Sequence, residues 1–354
     1  PFAKDAEKMS TIFKNAGWVG AGGETIRIHR KRKIDGGMEY VYQLPLGFDR
    51  TKIENNKHIL EDGLNVRTTA FIFDPRELLK LKFDKTIIKQ IKKIINAKKV
   101  SKKEIEIEFD GMLKIRVYNQ KMLDRYDWDS AYLNPGTWSV AIGVTRKGNV
   151  VHNFDKDKHL IICGSTGFGK SAVLKLIVTS LVLQMPDHAK LHLIDLKGGT
   201  AFHRFKDLRQ VENYGRDPEK SKEILEKIQQ GMNETYIKVV DAGYEDVKEA
   251  GIKERHFIII DEAADIADDA SCMDIVTDIA RRGRAAGYFL IYATQYPSTQ
   301  SIPQQTKRNI PVRLSFVLDD AIASNTALGQ TGAELLPMIP GRGIYKNVKT
   351  QIIQ

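Results

Sequence analysis

The chain has 354 residues, 42% hydrophobic and 28% charged, a balance that excludes both a disordered chain and a bundle of membrane helices. Its net charge of +10 points to a polyanionic partner or an anionic lipid surface. Two cysteines, Cys163 and Cys272, exclude a disulfide framework and fit a reducing compartment.

The charge is uneven. Residues 1–110 hold 23 Lys and Arg against 16 Asp and Glu, and the remainder 32 against 29. The glycine-rich stretch VGAGGETI near the start follows no strand and carries no reading. HRKRK (His29–Lys33) suits contact with DNA or anionic lipid, or equally a solvated loop. Asp84–Lys99 sets Ile87, Ile88, Ile91, Ile94 and Ile95 on one helical stripe, for core packing first and subunit contact second. EIEIEF and LKIRVY then alternate around Asp110-Gly111, which predicts a β-hairpin. Asn134-Pro135-Gly136 marks a linker, so the expected domains are a basic α+β domain over 1–135 and a second domain over 136–354.

Beyond Val140 come short apolar runs separated by helical stretches: HLIIC, LHLIDL, HFIIID, YFLIYAT and VRLSFVL, with GRGIYK as an edge strand. Runs apolar on both faces predict a parallel sheet covered by helices, an α/β fold. No apolar run reaches the roughly 18–20 residues a membrane span needs. Ala172–Met185, the nearest, is broken by Lys175. His188 and His192 are four apart, but Leu191 onward reads as strand, so they share no helical face and are not taken as a metal pair.

GSTGFGKS, Gly164 to Ser171, fits G-x-x-x-x-G-K-[ST] directly after a predicted strand and at the start of a predicted helix. Gly164, Ser165, Thr166, Gly167, Phe168, Gly169, Lys170, Ser171 and Ala172 are therefore the expected nucleotide-binding residues. The loop's amides and the helix N-terminus suit phosphate oxygens, with Lys170 on the β- and γ-phosphates of ATP and Ser171 on Mg²⁺. The run Phe257–Ile260 ends in Asp261-Glu262: Asp261 for Mg²⁺, Glu262 to orient or deprotonate water. Gln295, ending YFLIYATQ, reads as a γ-phosphate sensor or as a plain polar strand end. Arg281, Arg282 and Arg284 offer a cation for transition-state charge, or a solvated basic face.

With these motifs in hand, Lys158 to Tyr345 resembles the FtsK/SpoIIIE family of ring-shaped DNA-pumping ATPases. GSTGFGKS and IIIDEAADI look like its two nucleotide motifs, and LIDLKGG like its following strand. MNETYIKVVDAGYEDVKEAG is similar to the helix before the second motif. ARRGRAAGYFLIYATQYPS with NIPVRLSF is the most specific part. The resemblance implies a RecA-like P-loop domain in a hexameric ring threaded by double-stranded DNA. It implies Gln295 as sensor and Arg284 as the arginine acting on a neighbour's nucleotide, with Arg313 in reserve. Pore loops are expected in KGGTAFHRFK and STQSIPQQTKRN, with Arg204, Lys206, Lys307 and Arg308 on DNA phosphates.

No winged-helix module follows GRGIYKNVKTQIIQ, and the basic front region does not match the segregation motors. The pattern looks more like the coupling proteins of Gram-positive conjugative plasmids and integrative elements. That implies relaxase or secretion-channel partners and a place at the inner face of the cell membrane, held by an anchor outside this chain. The alternative is an ATPase of a specialised (type VII) secretion system. Such chains usually carry several tandem ATPase domains, and the basic balance favours nucleic acid over polypeptide.

Overall fold

Phe257, Ile258, Ile259 and Ile260 are apolar at every position, so a strand built from them needs cover on both faces. The computed structural model, which describes residues 3–65, 102–119 and 121–354, supplies that cover. The isoleucine stripe over 84–99 lies outside the described residues. The chain forms two compact units, Pro1–Met122 and Leu123–Gln354.

The first unit contains α1 (Ala3–Asn15), β1 (Arg27–Ile34), β2 (Gly37–Gln43), α2 (Thr51–Asn55), α3 (Lys57–Asn65), β3 (Glu104–Phe109) and β4 (Leu113–Tyr118). Its strands form an antiparallel sheet in the order β1-β2-β4-β3. The expected hairpin is β3–β4, with Ile105 opposite Val117 and Ile107 opposite Ile115. The sheet shares a core with the helices, built from Met9, Phe13, Leu60 and Leu64 against Tyr40, Tyr42, Ile105 and Ile115. His29–Lys33 lies in β1, an edge strand exposed from Arg27 to Lys33, and not in a loop.

The second unit holds the hairpin β5 (Ser139–Thr145) and β6 (Gly148–Asn153), then α4 (Phe154–Asp157), β7 (Leu160–Cys163), α5 (Lys170–Gln184), β8 (Ala189–Asp195) and β9 (Val211–Gly215). It continues with α6 (Pro218–Asp241), β10 (Arg255–Asp261), α7 (Ala270–Ala286), β11 (Tyr288–Thr294), α8 (Gln304–Asn309), β12 (Arg313–Phe316) and α9 (Ala321–Leu328). β13 (Gly343–Lys346) and β14 (Thr350–Ile353) complete it. The large sheet has eight strands in the order β14-β13-β12-β7-β11-β10-β8-β9, parallel from β12 to β9, with antiparallel β13 and β14 at one edge. Each run expected as a strand is one, but GRGIYK (β13) is not the edge: β14 pairs along its free side.

Side-chain alternation divides the core in two. Ile258 and Ile260 join Leu290, Tyr292 and Ile161 beneath α6 and α7. Phe257 and Ile259 join Ile162, Leu191, Leu193 and Ile291 beneath α5 and the β5–β6 hairpin. All four of Phe257–Ile260 are 0% exposed, so large-to-small substitutions there leave cavities costing about 2–5 kcal/mol each. Because the strands are parallel, their carboxyl ends share one edge of the sheet, where the loops entering α5 and α7 begin.

Candidate nucleotide site

β7 ends at Cys163, and Gly164–Gly169 turns the chain into α5, whose first residue is Lys170. Two glycines are required there by contact and conformation. A Cβ on Gly164 would lie 2.8 Å from Phe316, and Gly169 has φ +117°, with the backbone of Gly341 at 3.2 Å from where its Cβ would be. The loop is tied down on both sides. Ser165 N donates to Val317 O at 2.9 Å, and Gly341 N donates to Phe168 O at 2.9 Å. Ser165 Oγ also donates to Asp319 Oδ1 at 3.0 Å. Ser171 is half-buried in the first turn of α5 and Ala172 is exposed beside it.

Lys170 is only 4% exposed, and an unpaired ammonium at that depth is strongly disfavoured. Its Nζ is hydrogen-bonded to Asp261 Oδ1, with Glu262 Oε2 3.7 Å away. Asp261 closes β10, in register with Asp195 on one side and Ala293 on the other. Its second oxygen, Oδ2, is buried without a hydrogen-bond partner. An acceptor-only oxygen in that state suits a hard, oxygen-preferring cation such as Mg²⁺, and Ser171, next to Lys170 in the first turn of α5, offers a hydroxyl as a further oxygen donor.

Glu262 takes a left-handed backbone, φ +66° and ψ +57°, which a non-glycine residue adopts at a cost of about 1–2 kcal/mol. Three hydrogen bonds hold it there. Thr294 Oγ1 donates to Oε1 at 2.9 Å, and Gln295 N donates to Oε1 and Oε2 at 3.1 and 3.3 Å. Such an outlier, fixed by the next strand, aims a carboxylate instead of relaxing. Gln295 follows β11 directly, and its Oε1 accepts from Thr166 Oγ1 at 2.7 Å. The apolar strand run and the polar residue that ends it thus meet the phosphate loop. Burial, followed by the Glu262 charge, pushes the Asp265 carboxyl up, so a second acid nearby is biased toward its neutral form. Burial pushes the Cys163 thiol up to about 12, which makes it core packing.

Thr294, Asp319 and Asp195 escaped sequence reasoning. Asp195 Oδ2 accepts from Ala201 N at 2.7 Å and Phe202 N at 3.0 Å, holding the turn after β8. Asp195 and Thr294 lie inside stretches that carry the family resemblance, yet no local signal gave any of the three a role; they matter because parallel strands end together.

The cations are placed differently. α7 begins after the carboxyl end of β10 and finishes before the amino end of β11, so Arg281, Arg282 and Arg284 lie at the edge opposite the phosphate loop. With Arg308 and Lys158 they line a cleft of about 490 Å³. Arg282 is held by Asp278, by Asn233 at 2.8 Å and over the Tyr236 ring; Arg281 bonds Asp278 at 3.0 Å. Among the described residues the Arg284 side chain pairs with Asp246 alone, at 3.9 Å, and it is 50% exposed. Arg313 donates to Lys307 O at 3.0 Å, and Lys307 Nζ to Asn325 O at 3.0 Å, so both serve the fold around α8 and β12. Burial and then Arg313 hold the Lys307 ammonium below its ordinary range. Arg204 and Lys206 are exposed on the loop between β8 and β9.

Residues 121–257 match the sequence profile of the FtsK/SpoIIIE family. Over that segment the chain resembles the FtsK/SpoIIIE family. The matched segment contains the phosphate loop and ends inside β10. The DNA translocase FtsK of Caldanaerobacter subterraneus subsp. tengcongensis is 34% identical over 209 residues, covering 56% of this chain and 29% of that protein. This chain spans less than half the length of the curated relatives it matches. The monomer form of the pCW3 conjugation coupling protein TcpA with ATPgS superposes at TM-score 0.63 with 22% identity, covering 99% of this chain and 94% of that one. EssC (ATPases 2 and 3) from Geobacillus thermodenitrificans superposes at 0.60 with 18% identity, over 66% and 47%. The chain therefore shares the fold of these P-loop ATPases, with a large, mostly parallel sheet at its centre.

Proposed function

We propose that this chain is an ATP-driven DNA translocase that works as a hexameric ring on double-stranded DNA. The observation that carries the reading is a path of hydrogen bonds and one ion pair at the carboxyl edge. It links Lys170 to Asp261 and Glu262, and through the Thr294–Gln295 strand end to Thr166 of the phosphate loop. In this reading the loop amides and Lys170 bind the β- and γ-phosphates of ATP. Lys170 exchanges its bond to Asp261 for phosphate oxygens, which frees the Asp261 carboxylate. Ser171 and Asp261 would hold Mg²⁺, which when bound neutralises phosphate charge. Glu262, aimed by Thr294 and Gln295, accepts the proton of the attacking water. Loss of the γ-phosphate changes what Gln295 bonds, and the loop that follows it, Tyr296 to Pro303, passes that change along the chain toward α8.

Arg284 sits at the opposite edge from its own phosphate loop, so it serves a nucleotide only on an adjacent subunit, as in a ring. It is less engaged than Arg281, Arg282 and Arg313, which makes it the arginine for that role. Arg204, Lys206 and Arg308 are exposed and supply sequence-independent contacts to DNA phosphates; Lys307 contributes more to the fold than to DNA.

The structural likeness to a conjugation coupling protein along nearly the whole chain supports a coupling role in DNA transfer. That role brings relaxase or secretion-channel partners and a place at the inner face of the membrane through an anchor outside this chain. Among the described residues no helix is long and apolar enough to cross a membrane. The likeness to EssC supports the type VII secretion ATPase as a second reading.

Steady-state hydrolysis of ATP with no polymer, single-stranded DNA or linear double-stranded DNA, at low and moderate salt, separates the two. Strong stimulation by double-stranded DNA is expected, fading with salt and absent in Glu262→Gln. Replacing Arg204 and Lys206 by Ala should make the log–log salt dependence of DNA binding shallower, by a slope of about one for each phosphate no longer neutralised. Indifference of the assembled protein to every DNA would favour the secretion reading.

A further inference from the structure

His192, Glu212 and His256 come from three neighbouring strands, β8, β9 and β10, and meet on the sheet face that α6 and α7 cover. His192 Nε2 lies 3.0 Å from His256 Nδ1, and Glu212 Oε2 lies 3.8 Å from each of those nitrogens. Three features build the arrangement. β9 pairs Val211 with Leu191 and Asn213 with His192, so Glu212 is the extra residue of a bulge, which turns it toward the histidines. The His256 ring stacks flat on Tyr288, 4.2 Å between centroids at 2°. Asn213 Nδ2 lies 2.8 Å from His192 Nδ1 and holds that ring from behind.

We propose that these residues form a binding site for a borderline divalent transition metal, Zn²⁺ by preference, separate from the nucleotide site. Tetrahedral bonds of about 2.0–2.1 Å to imidazole nitrogen and carboxylate oxygen put ligand atoms about 3.3 Å apart. The observed separations of 3.0, 3.8 and 3.8 Å bracket that value. Two imidazoles and one carboxylate form a donor set that suits zinc better than Mg²⁺ or Ca²⁺, and the fourth position is left to water. Binding requires a lone pair on both His192 Nε2 and His256 Nδ1. The proton of neutral His192 then resides on Nδ1, where the Asn213 amide, turned about its last bond, accepts it through Oδ1, an outer-shell bond common at metal-bound histidine. Lys190 Nζ is 3.2 Å from Glu212 Oε1, the oxygen that faces away from the histidines, so the ion and the ammonium can share the carboxylate. His256 stands five residues before Asp261 on β10, about 16–17 Å along the strand, so a bound ion would clip the amino end of the strand whose carboxyl end carries the catalytic pair.

The test uses the chain without a polyhistidine tag, with Mg²⁺ in excess to occupy the nucleotide site. Zn²⁺ is titrated by calorimetry and by its effect on the melting temperature, and Co²⁺ by its visible absorption. One equivalent of Zn²⁺ should bind at micromolar or lower concentration and raise the melting temperature by several degrees. Co²⁺ should give the strong bands of a four-coordinate ion. His256→Ala and Glu212→Gln, at partly exposed positions, should each weaken binding at least about tenfold while leaving the metal-free melting temperature nearly unchanged. Lys190→Met should preserve or tighten it. Absence of stoichiometric Zn²⁺ binding by the folded wild-type chain would overturn the proposal, as would binding that His256→Ala leaves untouched. Neither result bears on the proposed translocase reading, which DNA-stimulated hydrolysis tests separately.

Discussion

At the carboxyl edge of the large sheet, Lys170, Asp261, Glu262 and Gln295 each stand where an apolar strand run gives way to polar residues or a strand-to-helix loop ends, and all are nearly buried. At the amino edge, Arg281, Arg282, Arg284, Arg308 and Lys158 come from the ends of connections, and several are exposed. The first set is preorganised within one chain by hydrogen bonds to neighbouring strands. The second leaves Arg284 half-exposed beside a cleft, with one long ion pair to Asp246. A parallel sheet makes this asymmetry natural. Every strand delivers its carboxyl end to the same edge, where short loops can aim side chains, while longer returning helices deliver theirs to the other.

The sharpest break of that comparison is a mixing experiment. Glu262→Gln and Arg284→Ala should each lower ATP hydrolysis by about 10³-fold, the scale of losing a catalytic carboxylate or a transition-state arginine. Glu262→Gln should still bind ATP, measured with a fluorescent analogue. If the two edges serve one another across a subunit boundary, mixing the two inactive variants should restore part of the activity. If mixing restores none while both variants assemble, the trans role of Arg284 fails.

Next come the two faces of β10. Ile258→Ala opens a cavity under α6 and α7, and Ile259→Ala one under α5. Each should cost about 2–5 kcal/mol in urea unfolding with an unchanged denaturant slope. A cost near zero at either would mean that face is not the closed layer described.

Thr294→Val tests positioning at the carboxyl edge. It removes one of three bonds on the strained Glu262 and should lower kcat by about tenfold, the size of one hydrogen bond to a charged group, with KM for ATP nearly unchanged. An equal loss in Thr294→Ser would point to packing instead of the hydroxyl.

The smallest effect concerns pH. Burial holds His159 down to about 3 and His152 down to about 4, and His159 Nδ1 accepts from Leu290 N at 2.9 Å just ahead of β7. For a histidine whose folded pKa is depressed, the unfolded chain takes up the proton first. The stability these groups contribute is therefore fully present above the unfolded value of about 6.5 and is lost as pH falls toward 4 and 3. The melting temperature should drop by several degrees between pH 6.5 and 4.5, and His159→Gln should flatten that slope.

Most of the carboxyl edge could be read in advance because its chemistry is contiguous: an apolar run, then GSTGFGKS; an apolar run, then Asp-Glu. β9 was not legible, since VENYG is a polar edge strand without an apolar signal. Nor was the β5–β6 hairpin, whose short runs SVAIGVT and GNVVHN show no regular alternation of apolar and polar residues. His29–Lys33 is as basic as its residues dictate, yet whether they formed a loop or an edge strand depended on pairing with β2.

Local order in this chain follows from composition: which segments are strands, where glycines permit a phosphate loop, which residues carry charge. Neighbourhood does not. The pairing of Lys170 with Asp261, the aiming of Glu262 by Thr294, and the meeting of His192, Glu212 and His256 join residues distant along the chain, brought together only by strand order and register. Strand order is settled by how both faces of the sheet are covered at once, a property of the whole packed unit that no single segment contains.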